Sequence, residues 1–169
     1  MIFLGFILLF DPPRKEIASF VNALKQQKVH LKIITGDNAL IAQTTAAQIG
    51  IPSEKIISGA ELHALSDEAL ARKAQMMDIF VEIAPSQKER IVRGLQKKGH
   101  VVGYIGDGIN DASALKAADV GISVQNAVDV AKESADLILL EKGLDVILEG
   151  MRPQRCSAPD GSLKPLSQK

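Results

Sequence analysis

The chain is poor in everything that would tie it to a metal cage, a polyanion or a bilayer. A single cysteine, Cys156, cannot form an intrachain disulfide, and three scattered histidines do not supply a zinc ligand set, so a reducing compartment is expected. Net charge is absent: 20 Lys and Arg offset 20 Asp and Glu. No overall field therefore draws the protein to nucleic acid or an anionic membrane, and any phosphate it binds must be held by local chemistry. Long apolar runs are missing too. The longest, residues 2–10, is about half of the ~20 residues a helix needs to cross a bilayer. It reads as a buried strand, and Asp11-Pro12-Pro13-Arg14 after it lacks the small-residue site of a cleaved signal peptide. No internal repeat is visible. What the chain does have is 46% hydrophobic residues in 169, enough for one globular core.

Apolar spacing then lays out the elements. Pro13 suits a first helical turn, and Ile17, Phe20, Val21 and Leu24 recur on one face of a helix of about four turns. Residues 29–34 predict a strand ending at Thr35-Gly36-Asp37-Asn38, and a helix carrying Ile41, Thr45 and Ile49 follows, stopped by Gly50. Further strands are predicted at 56–57, 79–83, 101–105, 120–124 and 137–140. Helices are predicted from Ser66 to about Met76, from Pro85 to Gly99, through Ala118, and between the last two strands. Alternation of this kind implies parallel βαβ units: a mainly parallel, Rossmann-like sheet with helices on both faces, an α/β/α sandwich. Residues 152–169 hold three prolines and no periodic apolar face, and are expected to be a disordered tail.

Every loop leaving a parallel strand's carboxyl end opens on one edge of the sheet, where ligands bind. Three polar segments fall there. Gly106-Asp107-Gly108-Ile109-Asn110-Asp111 joins two glycines to two carboxylates four positions apart, a hard-oxygen arrangement that suits Mg²⁺ sharing its shell with phosphate. Aspartate in place of a third glycine argues against a dinucleotide fingerprint, and either acid alone could be no more than a helix cap. Thr35-Gly36-Asp37-Asn38 offers a hydroxyl, amides and a helix start to a phosphoryl group, although such a string is more often a plain cap. Lys88 stands in the first turn after Pro85, where a cation opposes the helix dipole unless an anion compensates it. A solvated lysine beside Lys97 and Lys98 is the bland alternative.

Taken in order, Thr35-Gly36-Asp37-Asn38, Pro85 with Lys88, and Gly106-Asp107-Gly108-Ile109-Asn110-Asp111 resemble the later motifs of the haloacid-dehalogenase superfamily as found in P-type ion-pumping ATPases. Asp11-Pro12-Pro13-Arg14 resembles the hinge through which the nucleotide domain of such pumps returns to the phosphorylation domain. The stretches from Gly99 to Gly103, from Ala117 to Val124 and from Leu139 to Lys142 are most similar to the magnesium-translocating bacterial branch. The resemblance implies a hinge strand at 1–12 and the C-terminal part of a HAD-like phosphorylation domain at 13–151. It implies that Thr35 and Lys88 contact the phosphoryl group, that Asp107 binds Mg²⁺, and that Asp111 orients Lys88 and the metal with its water shell. Gly36, Asp37, Gly108 and Asn110 would line the phosphate or nucleotide, and Arg14 would lie near nucleotide.

The same resemblance exposes a gap. The nucleophilic aspartate of these pumps belongs to an Asp-Lys-Thr-Gly-Thr string, which does not occur in the sequence. The implied molecule is a fragment of a cation-transporting, magnesium-importing ATPase, inactive alone. Complete relatives use Mg²⁺ and ATP, pass through an aspartyl phosphate, and sit in the cell membrane with this domain on the cytoplasmic side and the remaining pump domains as partners. No membrane segment is expected in this chain, whose location as given is cytoplasmic. The strand bearing the missing aspartate lies mid-sheet, so its absence predicts a central gap that only residues 2–10 could fill. Two other readings stay open: a soluble HAD-type phosphohydrolase, and a non-catalytic module binding Mg²⁺ or a partner.

Overall fold

The structure, a computed structural model, describes residues 17–140, 144–151, 155–157 and 163–165. Helix α1 (Ile17–Gln26) buries Phe20, Val21 and Leu24, the expected face. After it come β1 (Ile33–Ile34), α2 (Ala39–Gln48), β2 (Ile56–Ser58), α3 (Gly59–His63), α4 (Asp67–Met76), β3 (Ile79–Val81) and α5 (Pro85–Gln96). The second half runs through β4 (Gly103–Ile105), a 3-10 turn (Ile109–Asp111), α6 (Ala112–Ala117), β5 (Val120–Val124), α7 (Asp129–Ser134), β6 (Leu137–Leu139) and α8 (Asp145–Gly150). The expected βα alternation is borne out. A short antiparallel pair, β7 (Arg155–Ser157) with β8 (Leu163–Pro165), lies within the segment expected to be a disordered tail; the rest of 152–169, like Asp11, Arg14 and the 2–10 strand, is outside the described residues.

The strands pair in two parallel sheets, ordered β1-β3-β2 and β4-β5-β6. Side chains alternate across β3: Ile79 and Val81 pack with Val21 of α1 and Ala42 and Ala46 of α2, while Phe80 packs with Leu70 and Ala74 of α4 and Ile91 and Leu95 of α5. Helices thus cover both faces of the first sheet, and the near-continuous apolar β3 is what a parallel central strand requires. In the second sheet Tyr104 packs with Ala114 and Leu115 of α6, Ala131 of α7 and Val92 of α5. On the opposite face Phe20 and Leu24 of α1 meet Ile147 of α8 and Leu139 of β6. Among the described residues no strand joins β1 to β4, and helices above and below connect the two sheets.

Several strands are shorter than their apolar runs. β1 covers two residues rather than 29–34, because its one described neighbour, β3, is only three residues long and ends where Glu82 turns into the left-handed region (φ 54°). Lys32 leaves the strand pattern altogether. Its ammonium donates to the carbonyls of Gln75 and Met77 at the end of α4 and lies 3.7 Å from Asp78. The unforeseen α3 is explained by a capping box: the Ser58 hydroxyl accepts from the Glu61 amide while the Glu61 carboxylate accepts from the Ser58 amide.

Candidate active site at the strand carboxyl ends

Lys88 and Asp111 come from different sheets, one following β3 and the other following β4. Their side chains meet, Nζ to Oδ1, at 2.8 Å. This contact puts the carboxyl ends of both sheets on one side of the molecule. Only 13% of the Lys88 side chain and 12% of that of Asp111 is exposed, so the pair is largely withdrawn from water. The anion that a lysine in a first helical turn calls for is therefore Asp111.

Asp111 is the hub. Its Oδ1 also accepts from the Tyr104 hydroxyl at 2.7 Å, and its Oδ2 accepts from the Gly108 amide at 3.2 Å. Burial raises the carboxyl pKa, but the bonds from Lys88 and Tyr104, the Lys88 charge and the Gly108 amide outweigh it and hold Asp111 below the ordinary carboxylate value. Tyr104 is pushed far above its ordinary value by burial, then by its bond to Asp111 and by that charge. Although Asp111 precedes α6, its carboxylate makes no helix cap; it is committed to the network.

The loop before it is fixed by its backbone. The Gly106 carbonyl accepts from the Ser123 hydroxyl at 3.0 Å, and the Asp107 carbonyl accepts from the Val128 amide at 3.1 Å. Gly106 has no alternative here, since a Cβ at that position would stand 2.5 Å from Cβ of Asp111. Asp107 and Asn110 are exposed at the rim.

Thr35 reaches the same rim from β1. Its hydroxyl accepts from the Asp37 amide at 3.0 Å and donates to the Asp37 carboxylate at 2.9 Å, while Asn38 takes the capping role, its Oδ1 accepting from the Ile41 amide at 3.0 Å. Two amides of the loop leading to Lys88 secure the turn: Ile83 donates to the Thr35 carbonyl and Glu82 to that of Asp37. Gln87, buried, holds the start of α5 by accepting from the Ala84 amide at 2.8 Å and donating to the Gly59 carbonyl at 2.7 Å. Gln87 and Tyr104 are the residues that sequence reasoning missed. Each looked like an ordinary helix or core position, and the network around each closes only in the fold.

Among the described residues no three Asp, Glu, His or Cys side chains gather as a metal cage. Both Asp111 oxygens already have protein partners, which leaves the exposed Asp107 as the carboxylate free to face a cation. An exposed carboxylate at the strand carboxyl ends, with the Lys88 ammonium held at the same end, suits Mg²⁺, which keeps waters and completes its shell with phosphate.

A haloacid dehalogenase-like hydrolase family matches residues 2–119, and a second of the same description matches residues 89–151. The chain belongs to the haloacid dehalogenase-like hydrolase family. Within that family it is 48% identical over 147 residues to the magnesium-transporting ATPase, P-type 1, of Escherichia coli, an alignment covering 87% of this chain and 16% of that protein. It is 42% identical over 159 residues to a putative cation-transporting ATPase of Methanocaldococcus jannaschii, covering 90% of this chain and 20% of the relative. Among solved structures, the catalytic domain of the CPx-ATPase CopB-B superposes with a TM-score of 0.63 at 26% identity, covering 81% of this chain and 44% of that one. The resemblance to P-type ATPases read from the motifs is thus borne out, as is the α/β class. The chain spans about a sixth of the length of the P-type 1 relative it matches. No helix among the described residues is long and apolar enough to cross a membrane.

Proposed function

We propose that this chain carries the Mg²⁺- and phosphate-stabilising half of the phosphoryl-transfer site of a cation-transporting P-type ATPase, with magnesium as the transported ion. The observation that carries the reading is the Lys88–Asp111–Tyr104 network, a cation held in place by a carboxylate at the rim where Thr35 and Asp107 also end. Lys88 would set its ammonium against the oxygens of a phosphoryl group, with Asp111 as the positioning residue that fixes it. The Gly36 amide and the Thr35 hydroxyl, once turned from the Asp37 carboxylate, would hold those oxygens, with the Asp37 amide fixing Thr35. Asp107 would ligate Mg²⁺, and Asp111 would act through the water shell rather than by direct contact. When bound, Mg²⁺ would neutralise charge on the transferring group. Asn110 and Gly108 would line the phosphate. ATP would reach the complete pump through its nucleotide domain, with this domain on the cytoplasmic side of the membrane.

With no Asp-Lys-Thr-Gly-Thr string in the sequence, the chain lacks the acid that would be phosphorylated. Purified protein is expected to give no ATP turnover and no acid-stable label from γ-labelled ATP. Robust labelling refutes this reading, and hydrolysis of a small phosphomonoester, lost on Asp107→Asn, would replace it with that of a soluble phosphohydrolase.

A further inference from the structure

Lys88 stands in the first turns of α5, and the chain that leads to it is clamped from two sides. β3 ends at Val81, and Glu82 then turns in the left-handed region although it is not glycine (φ 54°). On one side the Glu82 amide donates to the Asp37 carbonyl at 2.9 Å and the Ile83 amide to the Thr35 carbonyl at 3.0 Å. On the other side lies Gly59, where β2 passes into α3. A Cβ on Gly59 would stand 2.3 Å from the Glu82 carbonyl oxygen and 2.8 Å from Oε1 of Gln87, so only glycine lets the two segments come this close. The contact continues into the interior, where Ile57 of β2 and Leu62 of α3 share a core with Ile83 and Ile91.

Gln87 closes the clamp. It is buried next to Lys88 and uses both ends of its amide: Oε1 accepts from the Ala84 amide at 2.8 Å, and Nε2 donates to the Gly59 carbonyl at 2.7 Å. A glutamate would serve the first bond equally and would suit the helix dipole better. It cannot serve the second, because a carboxylate has no hydrogen to give a carbonyl. Glutamine at this position therefore answers to Gly59.

We infer that Gln87 and Gly59 are positioning residues for Lys88, fixing the start of α5 against β2 so that the ammonium stays on Asp111 at the rim. The junction of β2 with α3 gives no group to the site described above, yet it sets where the Lys88 cation stands. That placement stands on geometry; its consequence for phosphate rests on the function proposed above.

Competitive amine labelling of the intact chain, read at each lysine by mass spectrometry, tests the placement, with Lys32 as the internal control. Lys32 is as withdrawn as Lys88, with 14% and 13% of the side chains exposed, but it lies at the amino ends of the strands, held by the Gln75 and Met77 carbonyls. Gln87→Glu keeps the Ala84 bond and loses the one to Gly59, whereas Gly59→Ala pushes on the clamp from 28 positions away. Each should raise Lys88 labelling about tenfold and leave Lys32 unchanged. Gln87→Glu adds no bulk, so it decides the matter should Gly59→Ala fail to fold. Lys88 labelling at the unsubstituted level in a folded variant overturns the positioning role, and so does an equal rise at Lys32 and Lys88, the mark of general loosening. Inorganic phosphate with Mg²⁺ should protect Lys88 in the unsubstituted protein, and half-protection should need about tenfold more phosphate in the variants. Unaltered half-protection in variants whose Lys88 has become more reactive overturns the link to phosphate. Absence of protection in the unsubstituted protein instead overturns the proposed function, and the ratio of Lys88 to Lys32 labelling still decides the positioning role.

Discussion

Removing the charge from Asp111 while keeping its shape isolates what the buried pair contributes. In Asp111→Asn an oxygen remains for the Tyr104 hydroxyl, but Lys88 is left with 13% of its side chain exposed and no counterion. Deleting one member of a buried pair costs about 3–5 kcal/mol; the lysine stem can lift its ammonium toward solvent, so about 2–3 kcal/mol is expected here. Lys88→Met deletes the ammonium and leaves Asp111 its bonds from Tyr104 and Gly108, a loss of about 1–2 kcal/mol. The double variant has no stranded charge and should recover about 1.5–3 kcal/mol relative to the sum of the singles. With an m-value of about 2 kcal/mol/M in urea, Asp111→Asn lowers the midpoint by about 1 to 1.5 M. Single costs that add within about 0.5 kcal/mol would mean that the 2.8 Å contact carries no coupling, and the positioning role of Asp111 would fall with it.

Gly106→Ala drives a methyl group into Asp111 at 2.5 Å and should cost about 1–3 kcal/mol in urea unfolding while changing Tyr104 emission; an unperturbed spectrum refutes the contact. The network also fixes how stability follows pH. Asp111 has a lowered folded pKa, so its contribution is present above the unfolded carboxyl value and is lost as pH falls through and below about 4. Tyr104 has a raised folded pKa, so its contribution is present below about pH 10 and is lost above it. Tyrosinate absorbance should accordingly rise only as the protein unfolds in alkali, and titration near pH 10 in the folded state would contradict the buried hydroxyl.

The βα order was readable because each apolar run is bounded by a cap or a turn. β5 at Val120–Val124 matches its predicted range, since Gly121 and Val124 frame a run with neighbours on both sides. β1 and β4 came out shorter because a strand's length depends on its partners as well as on its own residues, and each has a described partner on one side only. The residues proposed for chemistry were conspicuous as polar exceptions in an apolar scaffold. Those that position them were not. Tyr104 sits at a core position of β4, and its one polar act, toward Asp111, depends on how the Gly106–Gly108 loop turns back over the strand end. Gln87 reads as an ordinary solvent residue of a charged helix, and its buried amide is explained only by the Gly59 carbonyl 28 positions earlier.

The most direct test of a magnesium and phosphate site at this rim is a Mg²⁺ titration read by Tyr104 emission, in the presence and absence of inorganic phosphate. The account predicts a saturable change, tightened by phosphate and lost in Asp107→Asn with the fold retained. An identical response in Asp107→Asn, or no response to Mg²⁺ with or without phosphate, would contradict it.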